Sequence, residues 1–155
     1  MFVIIKDKEN NELISKIDLG VHSKLDIKQK EFCFDVCVDD KGVNLLINSP
    51  EQMFTEKLKS LLKFGQYSTR YKDIFDLYYL IDKVDVEELK KCFNTYIFID
   101  SSMKENNTKD IFNRINDIFH NKIYLETLSK TDKNWIEIDI LDVVNQIVRF
   151  ISSIQ

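Results

Sequence analysis

The hydrophobic period changes once along this chain, at Ser49, and that change constrains the fold more than any other feature. Before it, apolar and polar residues alternate. Phe32, Phe34, Val36 and Val38 interleave with Cys33, Asp35 and Cys37, the two-residue period of a strand with one apolar face. Phe2 to Ile5 is a shorter run, Asp7 to Asn11 is turn material, and Leu13 to Val21 alternates again. Residues 22–31 are a polar connection. Asp39-Asp40-Lys41-Gly42 turns the chain, and Val43 to Ile47 returns it. Residues 1–48 therefore read as four strands in a mainly antiparallel arrangement.

From Ser49 onward the period is 3.6. Ser49-Pro50-Glu51-Gln52 signals a helix start three times over: Ser at the N-cap, Pro at the first helical position, and Gln three residues after the Ser. Phe54, Leu58, Leu61 and Leu62 form its apolar stripe, and Gly65 is its expected stop. A second helix is predicted from about Thr69 to Ile81. Asp85 and Glu88 read as a capping box for a third, and Thr108 and Asp139 as caps for two more. Between Asn121 and Glu137 the pattern fits a short helix or a loop, with Trp135 anchoring the approach to the last helix. The fold class is α+β: a small, mainly antiparallel sheet over 1–48, then a helical bundle over 49–155.

Composition removes several classes of function. The 155 residues carry 22 Lys+Arg against 26 Asp+Glu, a net charge of -4, which argues against a wholesale basic coat for nucleic acid. No apolar run approaches the roughly 18 residues that cross a membrane, and the opening run is too short for a signal-peptide core. The three cysteines, Cys33, Cys37 and Cys92, form no paired C-x-x-C pattern, so a disulfide framework or structural zinc is not expected and a reducing cytoplasm is. Cys33 and Cys37 read as small buried hydrophobes. His22 and His120 lie far apart in sequence, and His120 falls near a helix C-terminus, where a cation is favoured. No P-loop, nucleophile elbow, H-E-x-x-H or dinucleotide-binding glycine pattern is present.

Chemistry concentrates between Glu51 and Asp82. Asp73 and Asp76 are i,i+3 neighbours, so both leave a helix from nearly one face. A tight helical hairpin brings Lys57 opposite them. Read from spacing alone, this is an ion-pair network tying two helices, and the tyrosines around it (Tyr67, Tyr71, Tyr78 and Tyr79) are core residues or base-stacking groups. Lys59 and Lys63, four apart, mark a solvated face.

Glu56-Lys57-Leu58, followed after a loop by Arg70-x-Lys72-Asp73-x-x-Asp76-Leu77-Tyr78, resembles the signature of the abortive-infection nucleotidyltransferase toxins of the AbiEii/AbiGii type. Ser49-Pro50-Glu51 is similar to the usual entry of that helix, with Thr55 where a small Ala is more usual. Lys16-Ile17-Asp18-Leu19-Gly20 resembles an upstream strand of the family, and Trp135 through Ile151 its closing amphipathic helix. The likeness covers most of the chain in order.

The resemblance implies nucleotide transfer in a toxin–antitoxin, phage abortive-infection system. It implies a nucleoside triphosphate and tRNA as substrates, an antitoxin as partner, and Mg2+ or Mn2+ held by carboxylates on a sheet, with charge on the phosphoryl oxygens stabilised by the metal. Asp18 corresponds to the third of those carboxylates and is the expected metal ligand. Lys57, Asp73 and Asp76 join it as candidate catalytic residues, and Arg70 and Lys72 as candidate substrate-binding residues. The first two carboxylates belong to a Gly-Ser…Asp-x-Asp motif, and none occurs in these 155 residues. The expectation is a truncated or degenerate homologue that does not transfer nucleotides alone. The alternative is a non-catalytic interaction module that binds an antitoxin or a full-length relative, or dimerises through an open sheet edge.

Overall fold

A computed structural model describes residues 2–6, 8–16, 29–38 and 41–154. The chain is rich in helix. Strands β1 (Phe2–Lys6) and β2 (Glu12–Lys16) pair antiparallel, as do β3 (Lys30–Val38) and β4 (Lys41–Ile47). Among the described residues these are two separate two-stranded ladders, not one small four-stranded sheet. Asn10 takes a positive φ of 64° in the first turn, a conformation that Asn tolerates better than most side chains. The expected turn at Asp39-Asp40, the part of the second run beyond Lys16, Asp18 and His22 lie outside the described residues.

Helices α1 (Pro50–Phe64), α2 (Tyr71–Leu80), α3 (Val86–Phe93), α4 (Thr108–Phe119), α5 (Lys122–Ser129) and α6 (Ile140–Ser153) build the core. The start of α1 has a reciprocal capping box. Ser49 Oγ accepts from Gln52 N at 3.2 Å, and Gln52 Oε1 accepts from Ser49 N at 2.9 Å. At its end, Gly65 has φ 56° and ψ -137°, a region nearly closed to other residues, and its N–H reaches Leu61 O.

α1 is the central helix. It packs against α2, α3 and α4, while α2 also meets α6. Phe54, Leu58, Leu61 and Leu62 of α1 are buried with Ile74, Phe75 and Leu77 of α2, Leu89 and Phe93 of α3, Ile111 and Ile115 of α4, and Val143 and Ile147 of α6. Thr55 is fully buried because its hydroxyl donates to Glu51 O at 2.7 Å, satisfying the group within the helix.

Three helix starts differ from the sequence expectation. Asn107, not Thr108, caps α4: its extended backbone lets the side chain accept from Asp110 N at 3.0 Å. Asp85 does cap α3, accepting from Glu87 N and Glu88 N at 3.0 Å each. Glu88 does not complete a box, however, because Asp85 N already donates to Glu51 Oε1 at 3.0 Å and Glu88 pairs with Lys91. Asn121 caps α5 through Tyr124 N, and this settles the Asn121–Glu137 segment as helix first, loop second. The second helix begins at Tyr71 and not at Thr69, with Arg70 in the cap position.

Phe54→Ala removes a fully buried ring from the middle of this core and is expected to lower unfolding free energy by about 3–5 kcal/mol in urea titrations. Gly65→Ala is expected to cost about 1–3 kcal/mol from backbone strain. A Cβ there also meets Arg114 Nη2 at 2.6 Å. That contact is with a flexible side chain, so adding Arg114→Ala is expected to recover little of the loss.

Candidate functional site

The helical hairpin α1–α2 carries the densest charge arrangement among the described residues. Lys57 leaves α1 one residue before the fully buried Leu58, so its stem runs beside the core and its ammonium emerges at the seam with α2. Asp73 and Asp76 leave α2 on that same side. Lys57 Nζ lies 2.7 Å from Asp76 Oδ2 and 3.3 Å from Asp73 Oδ1. Arg70 Nε lies 2.7 Å from Asp73 Oδ2. Trp135, from the loop between α5 and α6, donates its indole N–H to Asp76 Oδ1 at 3.0 Å. Three of the four carboxylate oxygens thus accept a hydrogen bond, and the fourth, Asp73 Oδ2, is met by Arg70 through charge alone; the partners come from three separate stretches of chain.

Burial varies across the group. Asp73 is buried, Asp76 and Lys57 are partly buried, and Arg70 is mostly exposed. Burial alone lowers the Lys57 ammonium's affinity for its proton. The hydrogen bond to Asp76 and the charges of Asp73 and Asp76 together outweigh it, so its pKa lies above the ordinary lysine value. Lys57 is therefore a fixed cation at neutral pH, not a proton donor. Beside it is an open depression of about 260 Å³ lined by Met53, Glu56, Lys57 and Arg70.

The formal charges of Lys57, Arg70, Asp73 and Asp76 cancel. Such a group can hold two helices in register and present guanidinium and ammonium edges to an anion entering the depression. It does not suit a divalent cation. Lys57 and Arg70 already neutralise both carboxylates, so a dication placed there meets no net negative charge and two fixed cations that repel it. No cluster of three or more metal-ligating side chains occurs among the described residues. Asp18, the expected ligand, lies outside them. Lys72 is exposed and makes no ion pair with the carboxylates among the described residues.

The other sequence candidates separate by environment. Tyr78 packs against the core and Tyr71 tilts against the buried Tyr124, whereas Tyr67 and Tyr79 are exposed. Lys59 is not simply solvated, because it pairs with Asp100 at 2.5 Å. That hydrogen bond, with another from Ser102 N, holds the Asp100 carboxyl well below the usual carboxylate range. His120 closes α4, its Nδ1 2.7 Å from Asn116 O. Cys92 is buried, and burial first, then the nearby Glu51 charge, pushes its thiol up to about 11, an unreactive state.

A model of the family described as "Nucleotidyl transferase AbiEii toxin, Type IV TA system" matches residues 7–135. The chain belongs to this family. The match spans all four charged residues of the cluster and ends on Trp135, whose indole closes it. No curated protein and no solved structure matches the chain. Membership makes this a nucleotidyltransferase-like protein of toxin–antitoxin type, which implies an antitoxin partner. No helix among the described residues is long and apolar enough to cross a membrane. Sequence reasoning missed the indole bond to Asp76. Its signal was a single tryptophan, with a hydrogen-bond donor to satisfy, in the polar run around Lys133 and Asn134.

Lys57→Met leaves two carboxylates facing each other without their shared cation and is expected to cost about 1–3 kcal/mol at neutral pH. Because the folded-state pKa is raised, Lys57's stabilising contribution is complete below the ordinary value of 10.5 and is lost as pH rises through the folded value. Urea titrations across a pH series are expected to show the wild type–variant gap constant through neutral pH and closing only above about 10.5.

Proposed function

We propose that this chain is a nucleotidyltransferase-toxin homologue of a phage abortive-infection, toxin–antitoxin system and does not transfer nucleotides by itself. In this reading residues 1–48 are a partial nucleotidyltransferase-like sheet, residues 49–155 a helical domain, and the protein works in the cytoplasm. The observation that carries the reading is the Lys57 ammonium, held by Asp73 and Asp76 and opening with Arg70 onto one depression within the matched region. Lys57 contacts the phosphates of a nucleoside triphosphate, with Asp73 and Asp76 fixing it. Arg70 and Lys72 attract the substrate, the tRNA acceptor included.

Mg2+ or Mn2+, when bound, neutralises charge on the phosphoryl oxygens. In this chain Asp18 is the one carboxylate proposed to hold it. The sequence offers no Gly-Ser…Asp-x-Asp partner for Asp18, and the cluster carboxylates are already occupied by cations. A lone carboxylate is a weak magnesium ligand, since that ion keeps most of its waters unless several oxygens replace them. Transfer therefore needs a carboxylate pair that these 155 residues do not supply.

A separate observation supports the alternative of an interaction module. Ile4 and Ile14 stand directly opposite in the β1–β2 register and are 55% and 60% exposed. A paired apolar surface on a small ribbon suits pairing with an antitoxin, a full-length relative or a second copy.

Incubation with labelled triphosphate, magnesium or manganese, and tRNA is expected to give no transfer above background by this chain alone. Robust turnover that Asp18→Ala abolishes would overturn the proposal. For the alternative, sedimentation of the wild type is expected to show self-association that Ile4→Lys with Ile14→Lys removes. An unchanged sedimentation profile rules out a dimer through this ribbon.

A further inference from the structure

Trp135 is the protein's single tryptophan, and it is both exposed and held. Its relative exposure is 47%, yet its N–H is fixed on Asp76 and its ring meets Tyr79 edge to face, with centroids 5.2 Å apart at 63°. Tyr79 is likewise half exposed, and Lys83 Nζ sits 4.3 Å from its ring centroid. Asp76 and Tyr79 are three apart on α2, so this aromatic pair and the Lys57 cluster share one side of the helix. The rings therefore adjoin cations at both ends: Lys83 beyond Tyr79, and Lys57 across Asp76.

We propose that the Trp135 indole, braced edge to face by Tyr79, is a stacking platform for the base of one unpaired nucleotide, whose phosphates are met by the neighbouring cations. The inference rests on the reading of the Lys57 cluster as the phosphate-facing part of the site. Every base has a π face, and a ring already immobilised at the surface loses little freedom when a base stacks on it. The indole N–H bond supplies that immobilisation. An apolar protein partner is a poorer occupant, because covering these rings would strip water from Lys83 and Asp76. The base can come from a free nucleoside triphosphate or from single-stranded RNA; both present the same face.

The lone tryptophan makes the test direct. Trp135 emission of the full chain is titrated with each nucleoside triphosphate, with a short single-stranded ribo-oligonucleotide, with the same sequence as a duplex, and with inorganic triphosphate. Saturable quenching by triphosphates, by the single strand, or by both is expected, and identifies the source of the base. Equal quenching by inorganic triphosphate or by the duplex overturns the platform, as does no quenching at all.

Anisotropy of a labelled probe of the ligand that quenches then measures the variants. Trp135→Ala is expected to weaken binding roughly 5- to 150-fold, the range for loss of one stacked base; Tyr79→Leu, which loses only the brace, is expected to weaken it by less, and Tyr79→Phe to restore it. Equal binding by the Leu and Phe variants overturns the platform, and both retain apolar cover if Tyr79→Ala does not fold. Trp135→Phe keeps a π face but loses the bond to Asp76, and is expected to bind between wild type and Trp135→Ala. Binding requires no turnover. A negative titration therefore removes the platform whatever the transfer assay shows, and turnover abolished by Asp18→Ala removes the proposed function whatever Trp135 does.

Discussion

Burial of one face of α1 is the constraint on which the rest of the described structure depends. Phe54, Leu58, Leu61 and Leu62 are removed from water against α2, α3 and α4, and each such side chain contributes about 1.5–3 kcal/mol relative to exposure. That packing fixes the rotation of α1 about its axis. With Leu58 turned fully inward, Lys57 emerges at the α1–α2 seam. The ammonium's short distances to Asp73 and Asp76 follow from hydrophobic packing; they do not cause it. A rotation of α1 by a fraction of a turn would keep the composition of the core similar and lose the cluster.

The cluster resolves a conflict between charge and burial. A buried carboxylate such as Asp73 is costly unless its oxygens are met by donors. Lys57 donates to one of them, the other has only the ion pair with Arg70, and Trp135 completes the shell of Asp76. Such a group rigidifies the hairpin, and it also leaves cationic edges on an open depression. Structural and phosphate-facing roles are thus compatible in one group of side chains. The same cations that open onto the depression disfavour a dication at these carboxylates.

Local signals were readable to the extent that their partners were local. The start of α1 was legible because Ser49, Pro50 and Gln52 act within one turn. Its stop was legible because only glycine readily takes the Gly65 conformation. The i,i+3 spacing of Asp73 and Asp76, with Lys57 on the preceding helix, was enough to anticipate their facing. Where a distant group intervened, the reading failed. Glu51 takes the Asp85 N–H and leaves Glu88 free to pair with Lys91. Asp100 takes Lys59, which spacing had assigned to solvent. Asn107 displaced Thr108 as a cap because the chain enters α4 extended at Asn107, a backbone choice made by the preceding loop. The short α5 was ambiguous because eight residues carry too little periodicity to separate helix from loop.

By itself the sequence determined where the period changes, which faces are apolar, and which family signature the charged residues form. These are properties of residue order, and order survives without coordinates. Tertiary structure decided how the charges are shared: Lys57 between two carboxylates, Arg70 on the second oxygen of Asp73, and a tryptophan from a loop 59 residues away on Asp76. It also decided that the strands pair as two ribbons among the described residues. The physical reason is the reach of each interaction. Caps and helical stripes are settled within a turn or two of chain, whereas an ion pair or an indole hydrogen bond forms only after the core has placed remote segments within about 3 Å of each other.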